Sequence, residues 1–245
     1  MYTASPDVRP TIHVLTKTFG TWRIDVQRQP IEKHALRKHY DRQASRWQRI
    51  MRQLKTSEAY ADAILSIAHR LAGASPKNDG AIKVLDCGTG TGVLTSAMAK
   101  ARPQARLTAV DLSPKMLREA KQNFKANGLA VHTRLADVGN LTFGDNSFDI
   151  VMGAHVLEHL DNPGHGLKEM IRTARPGGQI ILLLTRQTWA GRYIQLKWRT
   201  HIFSTDDARH LLRSQGLENV EIKMLRGTLF TKALGFLCIA QVPYP

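Results

Sequence analysis

Three acidic residues close three consecutive apolar segments, and a glycine loop follows the first. In Val84-Leu85-Asp86-Cys87-Gly88-Thr89-Gly90-Thr91-Gly92, an apolar run leads into glycines at alternate positions. Glycines there permit a tight turn and let a ligand lie against bare backbone, and a helix that follows offers free N–H groups. Asp86 precedes the loop, Asp111 lies 19 residues beyond Gly92, and Asp137 closes the third segment. The loop by itself does not name its ligand. Its spacing is G-x-G-x-G and not the G-x-G-x-x-G of a dinucleotide site. A carboxylate beside a pyrophosphate would be repelled, whereas one beside a cationic ligand would be favoured.

The chemistry of each acid narrows the ligand. Asp111 at a strand end can accept two hydrogen bonds from a ribose diol. Asp137 can accept from an adenine amino group while the Val138 N–H donates to the ring, with Leu112 and Met116 sandwiching the base. An adenosine that carries an amino group and a positive centre fits, and S-adenosylmethionine has both. One such Asp could merely cap the next helix; three in register with a glycine loop argue for one crevice. Cys87 reads as a small buried residue with no base nearby to activate it.

The elements that must position these groups alternate. Residues 81–87, 105–111, 129–137, 147–154 and 179–185 read as strands. Helices are expected over 92–101, from Pro114 to Asn127-Gly128, over 163–176 with a Pro-Gly-Gly end, and after Ser204. Residues 220–225 and 235–242 read as a final antiparallel pair. Strands separated by helices imply βαβ units and a mostly parallel sheet. Upstream, 11–15 and 21–26 read as short extended pieces. A helix over 32–55 would carry Leu36, Tyr40, Ala44, Trp47, Met51 and Leu54 on one stripe, with Lys38, Arg42, Arg46, Arg49 and Gln53 on another. A second helix is expected from Ser57 to Leu71, with Ala61, Ile64, Leu65, Ala68 and Leu71 facing inward. Residues 73–80 break the pattern.

VLDCGTGTG, AVDLSPKML, ADVGNLTFGDNSFDIV and VLEHLDNPGHGLKEMIRTARPGGQIIL, in that order, resemble the class I S-adenosylmethionine-dependent methyltransferases. The nearest pattern is the ubiquinone/menaquinone-biosynthesis type and similar small-molecule enzymes, over roughly residues 35–242. The resemblance implies a Rossmann-like, doubly wound α/β fold with a seven-stranded sheet, mostly parallel, whose last strand is antiparallel. It implies that Asp86, Gly88, Gly90 and Gly92 surround the methionine part of the cofactor, Asp111 holds the ribose, and Asp137 with Val138 holds the adenine. The segment Tyr40-Asp41-Arg42-Gln43-Ala44-Ser45-Arg46-Trp47 resembles one that lies over the cofactor in the family. The expected organisation is an N-terminal extension and basic helical cap over 1–72, a cofactor-binding domain over 73–245, and a substrate insertion at 186–203.

Methyl transfer needs an aligned acceptor, excluded water and, for some acceptors, loss of a proton. His155 follows the fourth strand and is the candidate catalytic base, since histidine exchanges protons near neutral pH. Glu158 and His159 read as structural. Substrate contacts are expected from Tyr40, Trp47, His155, Trp189 and Tyr193. No Asn-Pro-Pro-Tyr run and no Pro-Cys pair is present, so nucleic acid ranks below a small, lipophilic or anionic acceptor. A phospholipid or RNA acceptor, or a binding protein without catalysis, are the alternatives.

The 245 residues carry a net charge of +15, with 42% hydrophobic and 22% charged residues, which excludes a disordered chain. Residues 1–80 hold 14 Lys/Arg against 7 Asp/Glu and 186–245 hold 9 against 4, so the excess lies in the flanks. Residues 189–199 mix three aromatics with three cations. Their bland reading is an apolar stripe packed on the sheet; the sharper one is a lid that meets a lipophilic acceptor or an anionic membrane surface. Cys87 and Cys238 are too few for a disulfide scaffold or zinc cluster, and no metal is expected. No apolar run of membrane-spanning length and no secretory-type start is present, so the expected location is cytoplasmic with peripheral membrane contact. Nothing in the sequence speaks to oligomeric state.

Overall fold

A computed structural model describes residues 12–28, 38, 53, 56–67 and 81–245. The two N-terminal extended pieces are strands β1 (Ile12–Phe19) and β2 (Trp22–Arg28), which form an antiparallel hairpin closed by a turn at Gly20. Of the helix expected over 32–55, only Lys38 and Gln53 are described, both helical and exposed. Tyr40 and Trp47 lie outside the described residues.

Helix α1 (Thr56–Leu65) falls where the second helix is expected; Ile64 is buried and Ala61 packs on the core as expected, Leu65 does not, and Ala68 and Leu71 lie outside the described residues. Ala59, Tyr60, Ile64 and, past its end, Ile67 are buried, while Leu65 is 50% exposed. The spacing 60, 64, 67 is a helical stripe as regular as the one through 61, 64 and 65. Packing against the apolar Leu94 and Met98 chose between them.

Seven further strands follow: β3 (Lys83–Cys87), β4 (Arg106–Asp111), β5 (Val131–Leu135), β6 (Phe148–Ala154), β7 (Ala174–Thr185), β8 (Glu218–Met224) and β9 (Gly235–Gln241). They form one sheet in the order β5-β4-β3-β6-β7-β9-β8, and β9 runs antiparallel to both neighbours. The expected seven-stranded, mostly parallel sheet with an antiparallel last strand is therefore present. Alternate residues serve opposite faces: Val84, Ile150, Met152 and Ile181 pack in one core, Leu85, Val151, Leu182 and Leu184 in the other. Both faces are covered, as a parallel sheet requires.

Helices α2 (Val93–Ala101), α3 (Pro114–Ala126), α4 (Pro163–Thr173) and α6 (Thr205–Ser214) fall where the sequence places them. The Ser113 hydroxyl accepts from Met116 N ahead of Pro114, Asn162 caps α4, and Ser204 with Asp207 forms a reciprocal capping box. Helix α4 ends three residues early. Residues 174–178 join β7 instead, because Ala174 pairs with Phe148 and Arg175 Nε donates to Asp149 Oδ1 at 2.6 Å. Two helices have no counterpart in the sequence reading: α5 (Trp189–Trp198), inside the expected insertion, and the short α7 (Leu229–Leu234). No helix among the described residues is long and apolar enough to cross a membrane.

Candidate active site

The chain turns back at β3. Strands β4 and β5 extend the sheet on one side and β6 and β7 on the other, which opens a crevice beyond the carboxyl ends. A cavity of about 410 Å³ fills that crevice. The glycine loop forms its floor. Gly90 has φ +56°, and a Cβ built there meets no atom within 4 Å, so the loop leaves room for a ligand. Gly92, at φ +86°, instead starts α2 with its Cα against the Phe124 ring, and it does not line the cavity.

Asp86 is 1% exposed. Its Oδ2 accepts from Thr89 Oγ1 at 2.8 Å and Thr95 Oγ1 at 2.5 Å. Its Oδ1 is buried with no hydrogen-bond partner. Burial raises this carboxyl from 3.8 to about 6 against the two hydroxyls, and the charge of Asp111 adds to the rise. A buried carboxylate with an unmet acceptor, beside a second carboxylate, suits a cationic or hydrogen-bond-donating ligand.

Asp111 Oδ2 accepts from Gly90 N and Oδ1 from Ser113 N, each at 2.8 Å. These bonds fix the carboxylate on the cavity wall. Asp137 Oδ1 accepts from Gly139 N at 2.9 Å. Asp137, Val138, Leu112 and Met116 all line the same cavity as Asp86, Gly88, Gly90 and Asp111. The structure thus gathers every cofactor-side residue named from sequence except Gly92.

His155 directly follows β6 with φ +52°, a conformation rare for a residue with a Cβ. Both ring nitrogens are engaged: Nε2 lies 2.6 Å from Tyr60 Oη, and Nδ1 lies 2.8 Å from Thr185 Oγ1 and 3.2 Å from Glu158 Oε1. Glu158 is fully buried and also accepts from Thr185 N at 2.6 Å. Burial works to raise its carboxyl, but the hydrogen bond and charge of His155, with backbone donors, bring it below 4.5. Burial, then the Glu158 charge, push the Tyr60 phenol up. Tyr60, Thr185 and the role of Glu158 were not read from sequence. The only signal for Tyr60 was its place on the 60, 64, 67 stripe.

Another part of the cavity lining is largely apolar. Tyr60, Ile194, Trp198, Phe230 and Leu234 line it, with Lys197 and the buried Thr200, whose Oγ1 has no partner. Tyr193 reaches the cavity. Trp189 does not; it is 62% exposed and packs edge-on against Phe230. Cys87 is buried and its thiol is pushed up, first by burial and then by Asp86, so it stays protonated.

Fold and site together define a Rossmann-like α/β protein with an acidic ligand crevice at its strand tips. Residues 85–182 match the family model described as a methyltransferase domain. The ubiquinone/menaquinone biosynthesis C-methyltransferase of Desulfotalea psychrophila is 37% identical over 106 residues, which span 43% of this chain and 42% of that relative. The chain therefore matches under half the length of that relative. Magnesium protoporphyrin IX methyltransferase from Synechocystis PCC 6803 shares the fold at TM-score 0.69 and 17% identity, over 86% of this chain and 100% of the other. The cyclase SpnF shares it at TM-score 0.57 and 18% identity, over 75% and 82%. Residues 85–182 thus match a methyltransferase domain, carried on a Rossmann-like fold.

Proposed function

We propose that this protein transfers the methyl group of S-adenosylmethionine to a small acceptor with an apolar body and a polar end, releasing S-adenosylhomocysteine. The observation that carries this reading is the buried, unpartnered Asp86 Oδ1 beside the open backbone of Gly90. When bound, S-adenosylmethionine supplies an electrophilic methyl group on a cationic sulfur. Asp86 offsets positive charge on the ligand, Gly88 and Gly90 let its methionine part approach the backbone, and Asp111 accepts from the ribose hydroxyls. Asp137 and Val138 hold the adenine edge between Leu112 and Met116.

The apolar part of the lining excludes water and takes the acceptor body, while Thr200 Oγ1, His155 and Lys197 face its polar end. On α5, Trp189, Tyr193 and Leu196 form one exposed stripe, at 62%, 58% and 51% exposure, beside the exposed cations Arg192, Lys197 and Arg199. This stripe supports a peripheral contact with anionic lipid at the cavity mouth, through which a lipophilic acceptor enters. A phospholipid acceptor is the second reading that the stripe favours.

The test is transfer of label from methyl-labelled cofactor into fractionated metabolites, with a lipid extract and RNA as separate arms. The reading expects label in a lipid-soluble or acidic small molecule. Label in RNA alone would overturn the acceptor class. No label in any fraction from protein that still binds S-adenosylhomocysteine would favour a binding protein.

A further inference from the structure

We propose that Tyr60 is the catalytic proton acceptor of this cavity: its hydroxyl takes a proton from the methyl acceptor while passing its own to His155 Nε2, with the buried Glu158 as positioning residue. The inference rests on the methyl-transfer reading and moves the proton-accepting atom from His155 to Tyr60. His155 Nε2 does not face the cavity unaccompanied, because Tyr60 Oη sits 2.6 Å from it. A base at Nε2 therefore works through that hydroxyl, which belongs to α1 and lines the cavity.

The polarity follows from what lies behind the ring. Nδ1 faces the Glu158 carboxylate at 3.2 Å and the Thr185 hydroxyl at 2.8 Å. An anionic oxygen at Nδ1 holds the proton there, which leaves Nε2 as the acceptor of the Tyr60 O–H. Thr185 N, at 2.6 Å from Glu158 Oε1, fixes the carboxylate in turn. The Tyr60 phenol, pushed up by burial, stays protonated at rest and can act as a shuttle.

The step balances as follows. An O–H proton of the acceptor goes to Tyr60 Oη, and the Tyr60 proton goes to His155 Nε2. The freed electron pair forms the new bond from the acceptor oxygen, or from its conjugated carbon, to the methyl group. The carbon–sulfur bond breaks, and its pair stays on sulfur. The product state is an imidazolium facing the buried Glu158 carboxylate, a charge-assisted contact. The acceptor class is accordingly a phenol or enol, which must lose a proton; an amine would leave the relay idle. The other ionisable groups around this relay are His159 on the turn after β6, Lys197 on α5, His201 beyond it, and Cys238 in β9 behind Glu158.

Nitrogen NMR of histidine-labelled protein, without acceptor, tests the relay directly. The expected spectrum has His155 protonated at Nδ1 and bare, hydrogen-bonded at Nε2. Tyr60→Phe shifts the Nε2 signal alone, and Glu158→Gln gives a mixture of tautomers. A wild-type ring protonated at Nε2, or an Nε2 signal unmoved in Tyr60→Phe, overturns the proposal. With an acceptor from the labelled-cofactor screen, Tyr60→Phe should lower kcat on the order of 100-fold and remove the acid limb of the pH–rate profile, with KM for the cofactor little changed. Equal kcat in wild type and Tyr60→Phe would also overturn it. Failure to bind S-adenosylhomocysteine, by contrast, sinks the methyl-transfer reading and leaves the NMR result to judge the relay.

Discussion

Asp86→Asn should make the ligand-free protein more stable and the liganded one weaker. In the folded chain this carboxyl rises from 3.8 to about 6, mainly through burial. Between those two values the folded state keeps a proton that the unfolded chain has lost. Stability from this group therefore falls as pH rises through that window, and the full cost is present above pH 6. The shift corresponds to about 3 kcal/mol at pH 7. Asparagine removes the charge and keeps an oxygen for Thr89 and Thr95, but it adds an unmet amide donor worth about 1 kcal/mol. The net gain is about 2 kcal/mol, or about 5 °C in melting temperature for a chain of this size. The same change deletes the anionic partner of a cationic ligand. Loss of one charged hydrogen bond costs about 2 kcal/mol, roughly thirtyfold in affinity for S-adenosylmethionine. In the wild type, binding near pH 5.5 should release a proton, and affinity should weaken as pH falls below about 6. Scanning calorimetry of the ligand-free protein and titration calorimetry in two buffers measure both halves. A lower melting temperature for Asp86→Asn at pH 7, or an unchanged affinity, would refute the reasoning.

Two glycines separate binding from folding. Gly90→Ala should cost about 1 kcal/mol of stability, for its positive φ, and more than tenfold in affinity for S-adenosylhomocysteine, because it adds a methyl group to a residue that lines the cavity. Gly92→Ala places its Cβ against the Phe124 ring and should destabilise by about 3 kcal/mol, read as a drop in melting temperature. Cosedimentation should show binding to vesicles containing phosphatidylglycerol and little to phosphatidylcholine alone. The double change Trp189→Glu with Leu196→Glu should cut that binding roughly tenfold, since it removes apolar contact and adds negative charge.

Much of the site was legible because its parts are local. A glycine loop between an apolar run and a helix, and acids at the end of β4 and two residues past β5, can be read one segment at a time. The helix starts at Pro114 and after Ser204 were equally local, since the caps there bond within three residues. What escaped depends on contacts far apart in sequence. Tyr60 reaches His155 only because α1 packs on α2, and the helical stripe of α1 had two near-equal readings. Glu158 looked like an ordinary turn residue until Thr185, thirty residues from His155, closed over it. Residues 174–178 ended α4 early because Phe148 and Asp149 offered them strand pairing and an ion pair. The placement of β9 between β7 and β8 is likewise a choice of partners that no periodicity encodes.

Titration calorimetry of S-adenosylhomocysteine against the wild type and Asp111→Ala, with NAD as the competing nucleotide, tests the central claim most directly. The account predicts binding by the wild type, no heat from NAD, and a loss of about 3 kcal/mol, roughly a hundredfold, when the two ribose bonds to Asp111 are removed. Equal affinity in both proteins, or preference for NAD, would contradict it.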